Sequence, residues 1–226
     1  MLEAQGSAHS LPVVFMIDAS QSLAGAFHVI AQDGPLLVKQ ELAERHPDVA
    51  RHVYIGEITC ASKPRQHQLT SLSSFTGLEW NVRGSLVLQP ALTLLREALT
   101  VDLIVPGLYH PGDYPPLVLF LLGERPVDTW QDMFASIIAL PDYCRPLVIS
   151  LITCPELEKE MREYSQTLLL LASTDASILT DFFFWVTHLI AQTYRAYASG
   201  VYDMPVPTLP YGIQLLYRKG QVEDLR

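Results

Sequence analysis

Asp18, Ser20 and Ser22 stand at alternate positions directly after an apolar run, Pro12-Val13-Val14-Phe15-Met16-Ile17. They offer one carboxylate and two hydroxyls from a single loop. An all-oxygen set of this kind suits a hard divalent cation such as Mg²⁺. The run before them is β-branched and large apolar, the pattern of a strand buried on both faces. Its carboxyl end is where open α/β sheets bind their ligands. Two further stretches could contribute. Arg83-Gly84-Ser85 places a hydroxyl at the start of an expected helix, and Gly123-Glu124-Arg125-Pro126-Val127-Asp128 leaves the carboxyl end of another apolar run, 117–122.

Positioning these groups requires a sheet. Apolar runs at 12–17, 52–60, 117–122, 147–153 and 167–172 read as strands. Helical spacing of apolar residues predicts helices over 25–44, 85–103, 128–140, 156–164 and 175–198. In the first helix the apolar positions are Phe27, Ile30, Leu37, Val38 and Leu42, with Gly34-Pro35 as an early interruption. Asp128 is an available N-cap for the helix over 128–140. After the turn Lys63-Pro64-Arg65, residues 68–72 can pair back as a short antiparallel strand. This alternation implies βαβ units with right-handed crossovers. The expected fold is α/β: a Rossmann-like, doubly wound, mainly parallel sheet with helices on both faces and one antiparallel edge strand. Residues 1–10 read as a flexible leader, 11–198 as one domain and 199–226 as a Pro-rich extension. In that extension Ile213-Gln214-Leu215-Leu216-Tyr217 either adds a strand or docks on a partner.

Composition narrows the function. Of 226 residues 49% are hydrophobic and 17% charged, enough for a full core. The net charge is −9 with no basic tract, which argues against a nucleic-acid binder. No stretch reaches the ~18 consecutive apolar residues of a membrane span. Three cysteines, Cys60, Cys144 and Cys154, lie at no metal-ligand spacing. They read as reduced thiols of a cytoplasmic protein. Phosphate-loop, dinucleotide, nucleophile-elbow and zinc-protease motifs are missing.

The ordered set Asp-x-Ser-x-Ser, then a Gly-hydroxyl step, then a loop after a buried strand resembles the von Willebrand factor A domain with its metal-ion-dependent adhesion site. The likeness extends over roughly residues 10–198. It is closest to bacterial intracellular proteins of that type associated with tellurium resistance. The stretches that carry it are Val14 to Ser22, Gly84-Ser85-Leu86-Val87-Leu88-Gln89-Pro90-Ala91-Leu92, Pro126-Val127-Asp128-Thr129-Trp130 and Phe184-Trp185-Val186. The resemblance implies that Asp18, Ser20 and Ser22 ligate the ion and that Ser85 replaces the family's threonine. The third loop departs from the pattern. Gly123 stands where the family carries an aspartate, and Glu124, one residue on, is the candidate metal ligand that could reach back in its place.

The resemblance further implies a non-catalytic protein-interaction module of a bacterial stress or signalling system. A partner's acidic side chain would complete the shell of a bound Mg²⁺. One alternative keeps the binding role without metal, using the extension, the 109–116 loop with His110 and Asp113, or the aromatic run Phe182 to Trp185. Another is a metal-dependent hydrolase, disfavoured by the shortage of carboxylates. Glu57, inside an apolar strand, reads as a structural acid at the sheet edge or beside a paired group. His188 reads as a histidine without ligand partners.

Overall fold

A run of eight buried residues, Leu11–Asp18, forms the central strand β1. The structure is a computed structural model that describes residues 9–103, 112–173 and 175–220. His110 and both chain ends lie outside those ranges. Beyond β1 the chain continues through α1 (Ala26–Arg45), α2 (Pro47–Ala50), β2 (Val53–Cys60), β3 (Gln66–Ser71) and α3 (Gln89–Glu97). Next come β4 (Leu117–Leu122), α4 (Gln131–Ile138), β5 (Leu147–Ile152), α5 (Glu158–Tyr164), β6 (Thr167–Leu171), α6 (Ser177–Ala198) and β7 (Ile213–Arg218). The seven strands make one sheet in the order β3-β2-β1-β4-β5-β6-β7. The five inner strands are parallel, and both edges, β3 and β7, are antiparallel.

Alternation along β1 feeds both layers. Val13, Phe15 and Ile17 face α1 and α6, whereas Val14 and Met16 face α3, α4 and α5. In β4, Leu117, Leu119 and Leu121 join the first face, and Val118, Phe120 and Leu122 the second. A strand buried on both faces gains apolar burial from every residue, at roughly 25 cal/mol per Å². The expected mainly parallel α/β sheet is therefore what forms. No helix among the described residues is long and apolar enough to cross a membrane.

Several helix boundaries differ from expectation. Gly34-Pro35 does not interrupt α1, which runs through it. The buried stripe is Ala31, Gly34, Pro35, Val38 and Leu42, while Phe27, Ile30 and Leu37 are only partly buried. The reason is packing against α6. A Cβ on Gly34 would lie 2.0 Å from Cζ of Phe183, so the missing side chain lets that ring seat on α1. Burial of the ring between the two helices outweighs the hydrogen bond that Pro35 removes. The second long helix starts at Gln89 rather than 85, and its last turn widens into a π-helical turn over Ala98–Asp102. Likewise α4 starts at Gln131, three residues after Asp128. On the charged segment 156–164, Leu157, Met161 and Tyr164 are buried on the inner side.

The described part of the extension, 199–220, packs onto the sheet and helices. Its strand β7 pairs with β6, and Met204 is buried against the α1–α6 layer together with partly buried Val206 and Leu209. Trp185 Nε1 donates to the carbonyl of Pro207 (3.1 Å). Four consecutive aromatics point to every side of a helix. Here Phe182, Phe183 and Trp185 are all buried, Phe183 against α1 and Trp185 bonded to the chain's own extension.

Gly34→Ala should therefore destabilise the protein by about 1–3 kcal/mol through overpacking, despite the ~1 kcal/mol advantage of alanine within a helix. Urea unfolding checks this. Gly34→Ala combined with Phe183→Leu should cost less than the sum of the two single changes.

Candidate interaction site at the carboxyl edge of the sheet

Asp18 ends β1 fully buried, and its carboxylate accepts bonds from two separate chain segments. Oδ1 takes the backbone N–H of Ser20 (2.7 Å). Oδ2 takes the hydroxyl of Ser22 (3.1 Å) and the N–H of Gly123 (2.8 Å). The hydroxyls of Ser20 and Ser22 lie 2.7 Å apart, and Ser20 Oγ also accepts from the N–H of Ser22 (3.3 Å). Asp18 and Ser20 are both 0% exposed. Burial pushes the Asp18 carboxyl above its ordinary range, and the bonds from Ser20, Gly123 and Ser22 pull it back.

The glycine at 123 has a steric reason. A Cβ there would sit 2.2 Å from Ser22 Oγ and 2.9 Å from Cδ2 of Leu23. At this position a backbone N–H, not a side chain, meets Asp18. Thr153 fixes the other side of the same residue by donating its hydroxyl to the Gly123 carbonyl (3.1 Å).

The stretch 83–88 locks onto both neighbours. Arg83 N donates to the Ala19 carbonyl (2.9 Å) and Gln21 N to that of Gly84 (3.0 Å). Glu124 Oε1 accepts the N–H of Leu86 (2.7 Å), and Val127 N donates to the Leu86 carbonyl (3.0 Å). Asp128 caps α3 rather than α4, accepting the N–H of Leu88 (3.0 Å) and of Gln89 (2.7 Å). The three stretches singled out by sequence thus converge. Asp18, Ser20 and Ser22 form one cluster, Glu124 turns to Leu86, and Ser85 is exposed on the loop ahead of α3 without starting a helix.

One further carboxylate takes the structural role expected of it, in the second of its two expected settings. Glu57 is wholly buried in β2, not placed at an edge, and no cation pairs with it among the described residues. Its oxygens accept the N–H of Leu78 (3.1 Å) and Nε1 of Trp80 (3.2 Å). Burial raises its carboxyl to about 7, the two hydrogen bonds opposing the rise. The segment it holds is also pinned from α1. His28 Nε2 donates to the Trp80 carbonyl (3.0 Å), and Trp80 N donates to Gln32 Oε1 (3.2 Å). An acid inside an apolar strand is the signal that marks this position, but its partner Trp80 is 23 residues away.

Two clefts flank the first loop. One, of about 520 Å³, is mostly apolar and lies over the ends of β5 and β6, lined by Ser22, Leu23, Phe27, Thr153, Leu170 and Leu171 among others. The other, of about 530 Å³, lies over the ends of β1 and β2 and is polar, lined by Ala19, Thr59, Lys63, Arg65, Trp80 and Arg83 among others.

These donors fit a resident divalent cation poorly. Asp18 already satisfies three protein donors out of reach of solvent, Gly123 has no room for a carboxylate, and Glu124 is bonded to Leu86. Among the described residues no three His, Cys, Asp or Glu side chains are placed to share an ion. In this structure the cluster ties the loops to one another.

Asp18→Ala should cost about 3 kcal/mol in unfolding free energy, because the N–H groups of Ser20 and Gly123 and the Ser22 hydroxyl lose their acceptor. Asp18→Asn, which keeps one acceptor oxygen, should cost about half as much. Chemical denaturation measures both. Glu57 sets a pH dependence. Its carboxyl is about 7 when folded against an ordinary 4.5. The unfolded chain therefore loses this proton first as pH rises. Stability should be full below about 4.5 and fall until pH passes about 7. Glu57→Gln should flatten unfolding free energy over that window, and an unchanged slope would show that Glu57 ionises normally.

No protein-family model matches the sequence, and no curated protein matches it. Solved structures do share its fold. A von Willebrand factor type A protein from Catenulispora acidiphila superposes with a TM-score of 0.57 at 13% identity, covering 81% of this chain and 43% of its own. The pilus adhesin SpaC from Lactobacillus rhamnosus GG gives 0.65 at 10% identity, covering 84% of this chain and 32% of its own. The SpRpn10 VWA domain gives 0.52 at 11% identity, covering 76% of this chain and 93% of its own. This chain spans less than half the length of the first two. With strand order, crossovers and loop edge all described, the likeness establishes that the chain adopts the von Willebrand factor A fold.

Proposed function

We propose that this chain is a non-catalytic protein-interaction module that engages a protein partner through the loop surface at the carboxyl ends of β1, β2 and β4, without requiring a resident cation. The observation that carries this reading is the interlocking of the three loops around Asp18. The bonds Gly123–Asp18, Gln21–Gly84, Arg83–Ala19 and Leu86–Glu124 hold exposed Gln21, Ser22, Gly84 and Ser85 on one rigid edge. A preorganised surface loses little conformational freedom on binding. Shared fold adds support, since one structural neighbour is described as a pilus adhesin. A bacterial stress or signalling setting is part of this proposal, and what supports it is the sequence resemblance to tellurium-resistance-associated proteins. Three free cysteines accord with a cytoplasmic location. The aromatic run on α6 is a weaker interaction surface, because Phe182, Phe183 and Trp185 are buried.

Site-specific photo-crosslinking tests the reading. Probes at Gln21 and Ser85 should capture a discrete protein partner in native lysate, with magnesium or with chelator. A probe at Asp142, exposed ahead of β5 at the opposite edge of the sheet, should capture none. Equal capture at all three positions would reject the loop edge as the binding surface. Capture that needs magnesium would restore a metal-dependent mechanism.

A further inference from the structure

We propose that the polar cleft beside the first loop receives an acidic peptide segment of the protein partner, with Lys63, Arg65 and Arg83 taking its carboxylates. This deepens the loop-edge reading and rests on it. Lys63 and Arg65 lie on the turn between β2 and β3, and Arg83 on the stretch that docks against the first loop, so two chain segments bring three cations to one cavity. All three residues are exposed. Among the described residues none of them forms an ion pair, whereas Arg45, Arg125, Arg145, Arg162 and Arg195 do. A molecule of net charge −9 with 24 acidic side chains thus leaves a concentration of positive charge at this edge. A cleft lined by one sign of charge attracts and orients the opposite sign.

The walls are built to hold that charge in place. Arg65 N donates to Thr59 Oγ1 (2.7 Å), and the Arg65 carbonyl accepts the N–H of Thr59 (2.9 Å). The Arg65 guanidinium also donates to the Glu79 carbonyl (2.5 Å), tying the turn to the opposite wall. That wall is the segment through Trp80, held from below by Glu57 and from α1 by His28 and Gln32. Ser62 and Asn81 add polar groups to the lining.

Size and charge select the occupant. At about 530 Å³ the cavity exceeds a single small oxyanion and falls in the range of peptide- or ligand-sized pockets. A long nucleic acid carries one charge per ~1.7 Å and needs an extended basic track, which this acidic molecule lacks. A short run of Asp or Glu matches three cations spread around one cleft. Each guanidinium can take a carboxylate in a paired, planar arrangement. On this assignment the attraction for a partner's acidic group comes from side chains next to the Asp18 cluster, and no metal is needed.

Fluorescence anisotropy of a fluorescein-labelled hexaglutamate peptide, with the full chain in chelator, tests the proposal. The peptide should bind, and added sodium chloride should weaken it. A hexaglutamine peptide should not bind. Lys63→Glu combined with Arg83→Glu should reduce affinity at least tenfold, with the thermal midpoint unchanged because both side chains are exposed. Lys63→Gln with Arg83→Gln should give a smaller loss in the same direction. No binding of hexaglutamate, or equal affinity in the charge-reversed variant, would overturn the proposal. So would displacement of the peptide by inorganic phosphate far below the concentration at which chloride acts, which would assign the cleft to a small oxyanion. Crosslinks from Gln21 and Ser85 that persist in the charge-reversed variant would reject the acidic segment while leaving the loop edge in place. Loss of those crosslinks in the unaltered chain would reject the loop edge itself.

Discussion

A single buried carboxylate organises the carboxyl edge of this sheet. Asp18 sits at the end of the central strand, where its oxygens collect N–H groups from the loop that follows it and from the loop after β4. A charge out of water is costly unless donors surround it. The fold supplies those donors from positions 2, 4 and 105 residues away along the chain. The loops cannot separate without leaving that carboxylate short of partners, so their relative placement is fixed by the cost of an unsatisfied ion rather than by any loop's own preference.

The same device recurs along this edge. Glu124 holds Leu86, Asp128 caps α3 from across a crossover, and Glu57 holds the segment through Trp80. In each case an acidic side chain accepts an N–H group from a different loop. Acids that a surface count assigns to solvent are therefore working inside the structure as ties. The cations Lys63, Arg65 and Arg83 are left outside these ties, facing an open cleft. The acids give this edge rigidity, and on our proposal the cations facing the cleft favour an acidic partner.

This division also changes how the oxygen cluster reads. In sequence, Asp-x-Ser-x-Ser is equally a cation loop and a hydrogen-bonded turn, because both need short oxygen side chains after a strand. Packing separates the two. Ser22 Oγ occupies the space a Cβ at 123 would need, so the carboxylate missing from that position is replaced by a backbone N–H that bonds Asp18 directly.

Much of the layout was legible in the residues. Continuous apolar runs located the inner strands, since such runs gain free energy only between two helical layers. The carboxyl ends of parallel strands share one side of a sheet, which placed the loops of Asp18 and Gly123 together, and the family resemblance added Ser85 to them. Boundaries were less legible where a distant side chain set them. Asp128 delays the start of α3 by supplying its cap, and Phe183 carries α1 through Gly34-Pro35. Local sequence determined which segments become strands and helices, because burial pattern is a property of neighbouring residues. Tertiary structure alone decided what the carboxyl groups of Asp18, Glu57, Glu124 and Asp128 do, because an acid takes its role from donors that only folding brings within reach.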